Sequence, residues 1–281
     1  MTEQRAGTER LRKTLIMLTA LLMGLAALLP GTGRAESADE DESIVEYVDL
    51  DAEAEAAQED PGKTTEASAA KQAFIEDIIA LGKKLYDQAD GKLQRAHYSG
   101  DIYVCKNFTV YLFRQNRDKY RMAEYPNVQL RIPNNLPAAK CKPYAYGYCW
   151  EDISAAQGNP FYIAAQFLYD TNLSKDENMA LALDFMREVR RGDYFQMTAN
   201  YSHGVGAHSA IMIGDYNPET DTVRWMDSNM AGKRIKGIRY GKVQFDEEKE
   251  ISWWAAAFCQ KKRGATIYRL RDDLIFAKEE N

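Results

Sequence analysis

The feature that most limits what this chain can fold into is a change of hydrophobic period at Gly192-Asp193. Before it, apolar residues recur at helical spacing. Phe74, Ile78, Leu81 and Leu85 mark one face of a helix over about 71–88. Phe108, Tyr111 and Leu112 mark a second, from Cys105 to about Tyr120. Met179, Leu181, Leu183, Phe185 and Met186 mark a third that ends near Arg191, and Ser174 stands three residues ahead of Glu177, the capping-box spacing that starts such a helix. After Gly192-Asp193 the period is two. YFQM, AHSAIMIGDY and DTVRWMDS read as three strands in antiparallel succession, with NPETD after Tyr216 as a hairpin turn. KRIKGIRYGKVQF adds a strand or two, 249–261 with its two tryptophans reads as a helix, and TIYRL, 266–270, closes the set. Helices first and antiparallel strands after them make an α+β domain, with N-terminal helices packed on a curled antiparallel sheet.

The segment between the second and third helices has less pattern. From Met122 to Pro137 it is short strand or loop, with NVQLRIP the most strand-like part; 139–161 is a loop rich in Tyr, Pro, Gly and Asn; and 160–170 reads as a helix with Pro160 in its first turn. Together, about 122–175 forms an insert within a domain that spans 71–281.

The first 70 residues are of another kind. Arg5, Arg10, Arg12 and Lys13 precede LIMLTALLMGLAALL, and small residues follow to Ala35. This is the layout of a secretory signal peptide over 1–35, and it implies a secreted or periplasmic protein with no stable membrane span after cleavage. Residues 36–70 carry 13 acidic residues and one lysine, with few large apolar groups, and read as a flexible acidic leader. Without these two segments the chain holds 30 basic and 27 acidic residues, so the acidic balance belongs to the leader. No stripe of Lys and Arg with interleaved aromatics is present, which excludes nucleic acid as the expected partner.

Export permits disulfides, and among Cys105, Cys141, Cys149 and Cys259 the pair Cys141 and Cys149 encloses a loop that one bridge could close. Cys259, in WWAAAFC, reads as a buried small apolar residue. Cys105 is open to three readings: core thiol, half of a disulfide, or nucleophile. At a helix N-terminus, unpaired amides and the helix field favour its thiolate, which is the nucleophilic form. Of the three histidines, His203 lies in a glycine-rich loop and His97 in the loop before Cys105. His208 begins the clearest strand, where a base is held rigidly. Across the hairpin the following strand returns toward His208, so Asp227 or Asn229 can approach the ring.

The pieces YVCKNFTVYLF, RGDYFQM and HSAIMIGDY, in that order, resemble the NlpC/P60 and CHAP group of papain-like cysteine hydrolases over roughly 71–230. In those families a cysteine opens a helix, a Gly-Asp dipeptide precedes a strand, and a histidine opens a later one. The resemblance implies a papain-like fold, Cys105 as nucleophile, His208 as base, and a third residue at Asp227 or Asn229. It implies hydrolysis of an amide or peptide bond, with bacterial peptidoglycan or a peptide as substrate and no cofactor or metal. Where NlpC/P60 enzymes usually read Asp-Cys-Ser-Gly, this chain reads Val104-Cys105-Lys106-Asn107. A catalytically silent binding module and an acyltransferase therefore stand as alternatives.

Overall fold

The computed structural model of this protein describes residues 68–96, 102–135, 142–144, 148–201 and 204–278. The signal peptide, all but the last residues of the acidic leader, His97, Tyr98, His203 and Cys141 lie outside them, and so does one end of the Cys141–Cys149 pairing. Among the described residues no helix is long and apolar enough to cross a membrane.

The first helix, α1 (Ala69–Ala89), starts at Ser68, whose side chain accepts the Lys71 amide. Next come a two-residue strand, β1 (Gln94–Arg95), and α2 (Cys105–Asn116), which continues as a single 3-10 turn to Lys119. β2 (Tyr120–Met122) pairs with the last strand, β9 (Leu274–Phe276). NVQLRIP forms no strand. β3 (Phe161–Leu168) occupies the segment expected to be helical. α3 (Lys175–Arg187) carries the expected capping box: the Ser174 hydroxyl accepts from the Glu177 amide, and the Glu177 carboxylate accepts from the Ser174 amide.

β4 (Tyr194–Tyr201), β5 (Gly204–Met212), β6 (Thr222–Ile235) and β7 (Ile238–Glu250) follow as an antiparallel meander. Lys236 and Gly237 link β6 to β7 with φ of 49° and 78°, the left-handed pair that a two-residue hairpin of this twist demands. α4 (Ile251–Phe258) and β8 (Gly264–Leu270) complete the chain before β9.

The main sheet has seven strands in the order β1-β7-β6-β5-β4-β8-β3. The α+β class holds, but the papain-like curled sheet does not. The sheet is open: β1 ends one edge, β3 the other, and the two do not pair. The physical reason lies in how its faces are covered. Tyr194, Ile211, Met226, Val243 and Tyr268 turn to one side and pack with α1 and α2 around Phe74, Phe108 and Phe113. Phe195, Ala210, Met212, Trp225 and Ile267 turn to the other and pack with α3 and α4 around Phe185, Trp254 and Phe258. With a helical layer on each face, neither face is left to close on itself, and β3, read as a helix, extends the sheet outward instead. The structure thus corrects the NlpC/P60 and CHAP resemblance as a guide to this fold.

Two features of α1 and α2 place the site. Gly82 of α1 lies so close to β6 that a Cβ there would come 2.2 Å from Met226 Sδ. α2 packs directly on β5 and β6.

Candidate active site

β5 and β6 pair only at Ile211↔Met226 and Met212↔Trp225. A further bond runs from the Ile213 amide to the Arg224 carbonyl, and toward the other end of β5 the two strands separate. In an antiparallel strand alternate amides face the same neighbour. The amide of Ser209 therefore faces β6 like those of Ile211 and Ile213, but past the point of pairing. The sulfur of Cys105 takes the vacant position: it accepts from the amides of Ser209 and Lys106 and shares a hydrogen bond with His208.

Cys105 is the first residue of α2 and is partly exposed. Val104, at the cap position, contributes no side-chain bond, so the first-turn amides are left to the sulfur and its surroundings. The loop ahead of it is pinned from below. Ser228 Oγ donates to the Tyr103 carbonyl at 3.0 Å, and a Cβ on Gly241 would stand 2.2 Å from that same oxygen. Lys106 is buried, and its Nζ donates to Asn135 Oδ1 at 3.0 Å.

His208 lies in the middle of β5, opposite Met197 of β4; the strand starts four residues earlier, at Gly204. Its Nε2 is 2.8 Å from Oδ2 of Asp227, a fully buried carboxylate on β6. With Nε2 so engaged, Nδ1 is the nitrogen left to face the thiol. Trp254 of α4 lies nearly parallel to the imidazole, 25° between planes and 5.9 Å between centroids. Asn229 comes near the pair without touching the ring. Its Nδ2 donates to Gln244 Oε1 at 2.7 Å and, at 3.4 Å, to Asp227 Oδ2. It sits within β6 and caps no turn.

The electrostatics follow from these contacts. Burial pushes the Cys105 thiol up, but the hydrogen bond and charge of His208, with the amides of Ser209 and Lys106, outweigh it and hold the thiol below its ordinary value. Burial also disfavours charge on His208. The Asp227 carboxylate and the Cys105 sulfur overcome that, and the imidazole is pushed up to about 10. A lowered thiol beside a raised imidazole shifts the balance toward a thiolate–imidazolium pair, a nucleophile with a proton donor at its side.

The structure therefore brings Cys105, His208 and Asp227 together and leaves Asn229 one step outside. Trp225 was not anticipated: its Nε1 donates to Asp227 Oδ2 at 2.8 Å. Its place two residues before Asp227, on the same strand face, was the available signal. Trp254, one of two adjacent tryptophans, and the Ser209 amide carried none. No group of three or more His, Cys, Asp or Glu side chains among the described residues is arranged to hold a metal ion. No family model matches the chain, and neither the curated proteins nor the solved structures contain a match to it.

Proposed function

We propose that this chain is a thiol hydrolase that cleaves an amide or peptide bond by acyl transfer through Cys105, His208 and Asp227. One observation carries the reading: His208 stands between the Cys105 sulfur, whose ionisation it favours, and the buried Asp227, which it meets at 2.8 Å. The Cys105 thiolate attacks the carbonyl carbon, and the carbonyl electron pair moves to oxygen. In this reading the Cys105 backbone amide, at the head of α2, is the first donor to that oxyanion. Imidazolium of His208 gives its proton to the departing amine, leaving a thioester on Cys105. Neutral His208 then takes a proton from water, whose oxygen attacks the thioester and releases the acid. Asp227 fixes the ring and offsets its positive charge throughout.

Exported substrates are the class to try first, and bacterial peptidoglycan peptides lead it. Incubating muropeptides with wild-type protein and with C105A, followed by mass analysis, reports activity and the bond cut together. New acid and amine fragments from a cleaved amide bond, formed by wild type alone, support the reading. Slow Cys105 alkylation, matching a free thiol, without any cleaved product points to a silent binding module. Transfer products formed on adding amines point to an acyltransferase.

A further inference from the structure

We propose that Trp225 is a positioning residue, whose indole N–H decides which oxygen of Asp227 meets the ring of His208. The inference rests on the triad reading above and extends it to a residue that touches neither thiol nor substrate.

A carboxylate has two equivalent oxygens, and in this one the load is uneven. Oδ2 accepts from His208 at 2.8 Å, from Trp225 Nε1 at 2.8 Å and from Asn229 at 3.4 Å. Oδ1 is buried and accepts nothing from the described residues. An unloaded oxygen leaves the group free to turn about Cβ–Cγ unless a second rigid donor stands beside the imidazole. Asn229 is a poor candidate, since its side chain is exposed, its bond to Oδ2 is long, and it is held closely by Gln244. Trp225 is a good one. It is buried, lies parallel to Trp253 (17°, centroids 5.8 Å apart) and meets Trp254 edge-on (77°, 4.9 Å). Trp254 is in turn the ring parallel to His208. Acid and base are therefore referred to one aromatic cluster, the acid by a hydrogen bond and the base by stacking.

The ionisable groups facing the pair come from two elements. α2 supplies Cys105 and Lys106, and β4 supplies Tyr201, which feels the charge on Cys105. Next to the pair, β7 supplies the uncharged Gln244, α4 the uncharged Trp254, and β4 also Met197. Among the described residues the side chains bonded to Asp227 Oδ2 are His208, Trp225 and Asn229.

The test uses the full chain and two readouts. In Trp225→Phe the ring packing is retained and the N–H is lost. The pH at which Cys105 becomes rapidly alkylated is expected to rise by about one unit, the size of a lost hydrogen bond to a charged group. kcat on any substrate found is expected to fall about tenfold with KM unchanged, while Asn229→Ala leaves both near wild type. A Trp225→Phe protein that melts earlier but keeps the wild-type alkylation profile overturns the proposal. Should that variant fail to fold, the wild-type indole signals decide. The Trp225 N–H proton is expected to exchange slowly and to shift as His208 titrates, unlike that of the exposed Trp253. Equal exchange and no shift overturn the proposal. The alkylation and indole-exchange readouts do not require turnover, so a chain with no hydrolytic activity defeats the proposed function and leaves this inference separately decided.

Discussion

Nε2 of His208 meets Oδ2 of Asp227 at 2.8 Å although the two residues are diagonal, not opposite, across β5 and β6. Extending the register Ile211↔Met226 along both strands would set His208 against Asn229. Diagonal neighbours in a regular ladder stand about 7–8 Å apart at Cα, and here the parting of the strands lets the carboxylate swing to the ring.

Asp227→Asn is expected to lower turnover by about 10²–10⁴-fold, because an amide neither holds the tautomer nor offsets imidazolium. Asn229→Ala should stay near wild type, since its bond to the carboxylate is the longest of the three. Comparing the two variants by alkylation rate and by hydrolysis checks the assignment; equal losses would return Asn229 to candidacy.

Cys105 reactivity has a definite pH form. The thiol is held low, so rapid alkylation begins below its ordinary value of 9.0, and imidazolium persists up to about 10. Activity that needs both forms is a bell whose alkaline limb falls near 10. Removing the imidazole in His208→Ala takes away the largest lowering contributions to the thiol and leaves only the Ser209 and Lys106 amides against its burial. The alkylation limb should therefore move upward, to the ordinary thiol range or beyond. A limb that stays in place would mean the ion pair does not form.

Two glycines separate positioning from packing. Gly241→Ala drives a Cβ into the Tyr103 carbonyl oxygen, which is backbone and cannot step aside, and so displaces the loop that delivers Cys105. A loss of alkylation rate larger than the loss of stability is expected. Gly82→Ala meets the thioether of Met226, which adjusts at a cost of about 1–3 kcal/mol. Thermal melts should show that cost with Cys105 reactivity nearly unchanged.

The pair Asp193 and Arg269 gives a stability prediction away from the site. Both Asp193 oxygens accept from Arg269, at 2.9 and 2.8 Å, and both side chains are buried. Arg269→Met strands a buried carboxylate and is expected to cost about 3–5 kcal/mol, whereas Arg269→Met with Asp193→Asn should recover much of it. Denaturant melts of the single and double variants measure the difference.

The parts of the fold readable in the sequence are those set by local pattern. α1, α3 with its Ser174–Glu177 box, and the β4–β6 meander follow from spacing alone, as does the helix opening at Cys105. β3 was misread because Ile163 and Phe167 also satisfy an i, i+4 helical face. Pairing with β8 decides the matter, and that partner lies about a hundred residues downstream. The curled sheet failed for a related reason: which faces the helices cover is a long-range fact. At the site, His208 and the hairpin were legible, but the choice of Asp227 over Asn229 depends on where β5 and β6 part. No spacing records that.

That parting has a mechanical consequence. Four strands, β5-β4-β8-β3, stand on one side and three, β6-β7-β1, on the other, and the ladder joining them holds two paired positions. The thiol, the imidazole and the carboxylate bridge the rest of the seam, so the reacting atoms also serve as its stitching. That seam is also spanned by the helix that opens at Cys105, which packs on both of its strands.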